Sequence, residues 1–428
     1  MDPVRNPYAP GAGQRPPELA GRDDELTAFD VVLERVSRGR PERSLVLTGL
    51  RGVGKTVLLG ALRSAAVRRS WGTGKLEARP DTSLRRQLAA ALHLAVRELG
   101  ARGDDTDHVL GVLKSFVQRD AGTDSKLRDR WQPGIEVPAV SGRADSGDIE
   151  IDLVELLTDV AGLAADTGRG VAVFIDEMQD IGPADVSALC AACHEISQQR
   201  LPLIVVGAGL PHLPAVLSAS KSYSERLFRF ARIDRLDRAA ADQALEAPAR
   251  DEDAGWAPDA LAAMYEATAG YPYFVQAYGK AAWDVATGSP ITLDDVRVAA
   301  PVAEAELAVG FFGSRFERAT PGEREYLRAM ADVAHGLAEA ASGAAAGSTT
   351  GPITGPTNEP TTGPTNGPTT GPIDQVPTSA VAEHLARKPQ SLSPARDALL
   401  KKGLIYSAER GQIAFTVPHF GRYLRAHG

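Results

Sequence analysis

Ser44-Leu45-Val46-Leu47-Thr48-Gly49-Leu50-Arg51-Gly52-Val53-Gly54-Lys55-Thr56 is the stretch on which the fold turns. Its first five residues make a short apolar run stopped by Gly49, the signature of a buried strand, and a helical period takes over across Thr56–Arg69. Between them, Gly49 to Thr56 matches GxxxxGK(S/T) in the strand, turn, helix setting that gives this motif its physical meaning. The glycines let the backbone N–H groups of Gly52, Val53 and Gly54 curl round a phosphate, and the following helix N-terminus adds a partial positive charge. Lys55 is spaced to reach β- and γ-phosphates, and the Thr56 hydroxyl is spaced to ligate Mg²⁺.

Such a cradle needs a carboxylate at the end of a second buried strand. Val171-Ala172-Val173-Phe174-Ile175-Asp176-Glu177 supplies one. Asp176 is the candidate for the Mg²⁺ shell, and Glu177 the candidate to orient and deprotonate a water. The competing reading is an Asp-Glu pair capping a helix. A third apolar run at Leu203–Val206 and weaker ones near Lys75–Ala78 and Phe230–Ile233 alternate with helical patterns. That alternation predicts an α/β fold with a parallel sheet of P-loop NTPase type.

Outward from this core, residues 1–18 are rich in Pro and Gly and read as an extended arm. The core is expected over 19–235, with a polar Gly/Asp-rich insertion at about 100–148 that includes a strand-like pair around Trp131–Val140. Helical patterns at Arg238–Ala247, Pro258–Thr268, Tyr273–Thr287 and Pro301–Arg318 predict a helical lid over 236–320. Over 321–428 the expected order is three helices and a hairpin, the third helix capped by Ser393 with Pro394 in its first turn. That is the order of a winged helix. A four-residue Gly/Pro/Thr repeat interrupts it, giving a loop at about 342–376; the period of four excludes a collagen helix, and Pro at every fourth position blocks helix and sheet alike.

The composition narrows the function classes. The chain has 428 residues, 43% hydrophobic and 24% charged, which excludes a single small module and global disorder. A formal charge of −8 argues against coating nucleic acid or membrane by bulk charge. Two cysteines make no disulfide framework, and neither an apolar leader nor an apolar run long enough to cross a bilayer is visible. A cytoplasmic protein without a membrane partner is the expectation.

These motifs together resemble the AAA+/STAND superfamily of P-loop ATPases, and more narrowly the archaeal-type and origin-recognition-like ATPases that end in a winged helix. The resemblance covers about residues 18–428 apart from the insertion and the repeat. Leu19 to Leu26, LAGRDDEL, is similar to the GRxxEL box of that family, which implies that Arg22 belongs to the nucleotide pocket. Gly270-Tyr271-Pro272 is similar to the STAND GxP motif, whose Pro touches the nucleotide, and stands where classical AAA+ proteins place a sensor-2 arginine. The resemblance implies ATP and Mg²⁺ as cofactors, and an arginine finger acting in trans if chains form a homo-oligomer. Arg226, Arg229 and Arg232 are the candidates, with Arg226 chosen. One departure concerns the fourth strand: family members carry a polar sensor-1 residue after it, whereas here the run is Val206-Gly207-Ala208-Gly209-Leu210-Pro211.

Other signals weigh less. Cys190-Ala191-Ala192-Cys193-His194 spells the haem attachment string, but its helical setting makes two small buried cysteines the simpler reading. Gly207-Ala208-Gly209 imitates the start of a dinucleotide fingerprint, yet its sixth position is His212. The C-terminal stretch 378–428 is basic, with Arg387, Lys388, Arg396, Lys401, Lys402, Arg410, Arg422 and Arg425 against Glu383, Asp397 and Glu409. Two functional readings therefore stand: an ATP-binding and ATP-hydrolysing switch whose nucleotide state repositions lid and winged helix, and an ATP-regulated DNA-binding protein of replication-initiator or mobile-element type. The second docks the third helix of the winged helix in the major groove, with Arg410 near phosphates.

Overall fold

The computed structural model describes every residue except 12, 81, 121–134, 347–374, 410, 418 and 428. By its contacts the chain divides into two compact units, Met1–Ala299 and Ala300–Gly428.

The first unit is built on five parallel strands, β1 (Ser44–Thr48), β2 (Gly72–Glu77), β3 (Val171–Asp176), β4 (Leu203–Gly209) and β5 (Phe228–Arg232), in the order β2-β3-β4-β1-β5. All residues of β1, β3 and β4 are buried, as continuous apolar runs covered on both faces should be. Each register is parallel, for example Leu45 opposite Val206 and Phe174 opposite Val206, so the C-terminal ends of β1, β3 and β4 lie along one edge of the sheet. That edge is where a parallel sheet places ligands, because the helices that return the chain begin there. β4 lies between β1 and β3, which puts the loops after Thr48 and Asp176 about 10 Å apart.

The helix after the cradle runs over Lys55–Arg68 and buries Leu58, Leu59, Leu62, Ala65 and Ala66. Leu84–Leu99 and Ile149–Asp166 add to the core. The expected insertion is different from its reading as a polar margin. Asp104–Asp120 is a helix that buries Val109, Val112, Leu113 and Phe116, positions three and four apart on one face. Arg85 ties it down, donating to the Phe116 carbonyl and to Asp152 and lying 4.3 Å over the Phe116 ring. Residues 135–140 form no strand, and 131–134 fall outside the described residues.

After β5 come the helices Arg238–Asp251, Pro258–Thr268, Pro272–Val285 and Leu293–Leu307. The last starts eight residues before the expected Pro301, because Thr292 and Asp295 cap it: the Thr292 N–H and hydroxyl donate to the Asp295 carboxylate, and the Asp295 N–H donates to the Thr292 hydroxyl. The arm at residues 1–18 is extended for only part of its length. Pro3–Arg5 is a turn of 3-10 helix, and Tyr8 is buried, its hydroxyl donating to the Leu245 carbonyl at 2.6 Å and accepting from the Trp256 indole at 2.8 Å.

In the second unit the helices Pro321–Ala346, Thr378–His384 and Pro389–Lys401 are followed by β7 (Ile405–Glu409) and β8 (Gln412–Phe415). With β6 (Val376–Pro377) these strands form an antiparallel sheet ordered β6-β8-β7. The third helix begins at Pro389 rather than Pro394, which lies inside it; Pro389 already supplies the preset φ of a first turn. A final helix, Phe420–His427, stacks Phe420 and Tyr423 on Phe312. Residues 309–313 thus belong to this unit, whereas the sequence reading put the boundary near 320. The repeat at 351–374 and Arg410 lie outside the described residues.

Candidate active site

Gly52 and Gly54 have φ of 83° and 91°, backbone that side chains rarely adopt, and this curls the loop Gly49–Gly54 over the first turn of the helix at Lys55. Gly49 is also held by contact: a Cβ there would meet the Ile233 carbonyl oxygen at 2.2 Å. The Lys55 ammonium is buried and donates to the carbonyls of Gly49 and Leu50 at 2.9 and 2.7 Å, its own loop. Burial pulls its pKa from the ordinary 10.5 down to about 8, against the opposing pull of Glu177 and Asp176, whose charges reach it across the site. The Nε of Arg51, in the same loop, is buried with no hydrogen-bond partner. A polyphosphate fits this donor set, since it would accept from the loop N–H groups and from both cations. Thr56 and Asp176 offer hard oxygen ligands of the kind Mg²⁺ takes when phosphates complete its shell.

Asp176 closes β3 and is buried; one of its oxygens accepts from the Glu177 N–H at 2.9 Å. Glu177 sits at φ 48° and ψ 42°, left-handed backbone that costs a non-glycine residue on the order of 1 kcal/mol and recurs at functional sites. Its carboxylate accepts from the Gln179 amide at 2.6 Å, and the Gln179 oxygen accepts from the Leu210 N–H at 3.1 Å. Asp180, one turn further, is pushed up by burial and by the Glu177 charge.

Arg22 enters from the segment before the first helix. It is buried, and one terminal nitrogen donates to the carbonyls of Val53 in the cradle and Asp234 beyond β5. Burial lowers its pKa, opposed by Glu25, Asp234 and Asp237. Gly21 packs so closely on the helix Arg238–Asp251 that a Cβ would meet that of Ala240 at 2.7 Å. Gly270 accepts from the Leu236 N–H at 2.8 Å, and its own Cβ would meet the Leu236 carbonyl oxygen at 2.2 Å. Pro272 opens the helix two residues later.

The structure therefore gathers Gly49, Gly52, Val53, Gly54, Lys55, Thr56, Asp176, Glu177 and Arg22 at one end of the sheet, and Gly270 is hydrogen-bonded to Leu236 just beyond β5. It leaves Arg226 out. Arg226 precedes β5 and lines a cavity with Ser44, Arg43 and Arg200 at the opposite end, about 13 Å away by the rise of the four steps from Ser44 to Thr48. Arg229 lies opposite Leu45 in mid-strand, and Arg232, opposite Thr48, is paired with Asp234 at 3.0 Å. Two groups escaped the sequence reading. Gln179 is one. The arm is the other: a Cβ on Gly13 would come within 3.3 Å of the Thr56 methyl. Three aromatic residues, Tyr8, Trp256 and Trp283, were the available signal, since the Trp283 indole also holds the arm, at the Asp2 carbonyl. The cysteines are buried, their thiols pushed up to about 11 for Cys190 and about 12 for Cys193, which makes them inert.

Comparison with known proteins agrees with this geometry. Residues 18–206 match the AAA ATPase domain family, and residues 309–351 and 370–424 match a domain of unknown function, DUF8462. No curated protein sequence matches the chain. Among solved structures, the Walker-type ATPase PABY2304 of Pyrococcus abyssi superposes with a TM-score of 0.55 at 15% identity, covering 96% of this chain and 97% of that one. The RuvB Holliday junction branch migration motor of Thermotoga maritima gives 0.44 at 16% identity (97% and 99%), and Cdc6p from Pyrobaculum aerophilum gives 0.42 at 13% (100% and 97%). At 15% identity the likeness to the Pyrococcus abyssi ATPase is one of fold. No helix among the described residues is long and apolar enough to cross a membrane. With the cradle, the paired carboxylates and the strand order all in one unit, residues 18–206 are an AAA ATPase domain on a P-loop NTPase fold.

Proposed function

We propose that the protein is an ATP-hydrolysing switch in which the state of the nucleotide is passed to the helices after β5. One residue carries the reading: Arg22 donates at once to Val53 in the phosphate loop and to Asp234 in the segment leading into those helices. A change in the loop changes the bonds at the hinge. Gly21 against Ala240, and Gly270 against Leu236, leave no slack for a movement at the hinge to be absorbed locally.

Mg²⁺ would be held by Thr56 and Asp176 and would neutralise charge on the phosphates. Lys55 exchanges its bonds to Gly49 and Leu50 for phosphate oxygens, and Glu177 takes the proton of the attacking water. Pro272, two residues after Gly270 at the start of its helix, would meet the nucleotide if the helices close on it. Arg226 can serve only a neighbouring chain, so full turnover requires a homo-oligomer.

For the second unit, the order of three helices and a small antiparallel sheet supports a winged helix. Its charges favour the switch over DNA docking. Arg387 makes two bonds to Glu325 at 2.9 and 3.0 Å, Lys402 meets Glu323 at 2.6 Å, and Arg396 meets Asp397 at 3.0 Å. Glu323 and Glu325 lie on the helix before the repeat, outside the window whose charge looked basic.

Hydrogen exchange of the whole chain with ADP and with a slowly hydrolysed ATP analogue tests the proposal. Amides at 234–240 and 268–275 should differ in protection between the two. Equal protection there would refute the switch, and a gel shift with duplex DNA that weakens steeply with salt would favour the second reading.

A further inference from the structure

The fourth strand ends in Gly207-Ala208-Gly209 with no polar side chain to address the site, and the structure shows what takes that place. A Cβ on Gly207 would meet the Met178 sulfur at 2.4 Å, and one on Gly209 would meet the Gln179 Oε1 at 2.8 Å and Leu213 at 2.7 Å. The glycines exist because the turn after Glu177 lies across the end of β4. Gln179 uses the room to bridge two elements: its Nε2 donates to the Glu177 carboxylate at 2.6 Å, and its Oε1 accepts from the Leu210 N–H at 3.1 Å. One residue back, the Gly209 carbonyl accepts from Gly49 N–H, the first glycine of the cradle, at 3.2 Å.

We propose that Gln179 is the positioning residue for Glu177, supplying from the third strand's turn the polar group that the fourth strand lacks. The inference rests on the reading of Glu177 as the base and adds how it is held. The amide satisfies both bonds because it carries a donor and an acceptor on one group, one partner being an acceptor and the other a donor. A glutamate would set two carboxylates against each other, and an alanine would leave Glu177 without a fixed rotamer on its left-handed backbone. With one Glu177 oxygen engaged by Gln179, the other remains to receive the water proton. Any shift of the fourth strand's end also moves Gln179, so Glu177 is aimed only when Gly209 and Gly49 are in register.

The test compares wild type, Q179A, Q179N, Q179E and E177Q in the full chain by steady-state and single-turnover ATP hydrolysis and by ATP and ADP affinities. Q179A should lower kcat about tenfold with KM and ADP affinity unchanged, since the residue orients the base without touching phosphate. Q179N, one methylene short, should do the same. Q179E keeps the size of the side chain, so it tests the idea even if Q179A fails to fold: with an acceptor where the amide donated, it should lower kcat at least as much as Q179A while ATP affinity stays unchanged. Wild-type kcat in Q179A or in Q179E would overturn the role of Gln179 while leaving the base intact. Unimpaired turnover in E177Q would instead overturn the base assignment, and this inference with it.

Discussion

At the C-terminal end of the parallel sheet Lys55 and Asp176 are buried, and Glu177 and Gly54 hold left-handed backbone. At the N-terminal end Arg43, Arg200 and Arg226 stand exposed around a cavity whose carboxylate, Glu42, is already paired with Arg35. One sheet thus has an end where charge is desolvated and interlocked, and an end where charge faces water. The first arrangement is costly without a ligand, and the same burial lowers the Lys55 pKa. The second costs little and acts on whatever approaches. The contrast separates a site that works within the chain from a surface that works only on another molecule.

Removing a charge from the buried end should have the largest effect. Lys55→Ala is expected to weaken ATP binding by about a hundredfold or more, read by titration calorimetry. Retained affinity would mean that the cradle binds by its backbone alone. Next, Glu177→Gln should keep ATP affinity and lose turnover by about 10²–10⁴. The exposed end should respond differently. Arg226→Ala is expected to leave nucleotide affinity unchanged and to lower turnover at least about tenfold, only at concentrations where chains assemble. An equal loss in dilute monomer would break the distinction between the two ends.

A smaller effect follows from the Lys55 titration. Its pKa falls on folding from 10.5 to about 8, so between those values the unfolded chain holds more protons than the folded one, and stability rises with pH through that window. Phosphates favour the charged ammonium, so ATP binding at pH 9 should take up a proton, and affinity should decline above about pH 8. Calorimetry in buffers of different ionisation heat measures the uptake. The smallest effect belongs to the second unit, where Arg387→Ala, losing an exposed pair with Glu325, should cost under about 1 kcal/mol in a thermal melt.

The residues most legible in the sequence are those whose chemistry is local. Gly49 to Thr56 and Val171 to Glu177 each combine an apolar run with a polar end, and the structure brings the two ends together. The insertion helix was legible too, in the spacing of Val109, Val112, Leu113 and Phe116, but its acidic and Gly-rich flanks masked the period. Gln179 was not, because its partners Glu177 and Leu210 meet only when β3 and β4 pair. The basic count over 378–428 missed two partners for the same reason: Glu323 and Glu325, far back along the chain, pair with Lys402 and Arg387.

Alone, the sequence determined the strand runs, the phosphate loop and the carboxylates facing it, since hydrophobic period and glycine placement act within a few residues of backbone. Tertiary structure decided which charges are buried, which are neutralised, and that Arg226 lies at the wrong end of the sheet to serve its own cradle. Those properties depend on distance and dielectric between elements remote in the chain, and no local pattern encodes them.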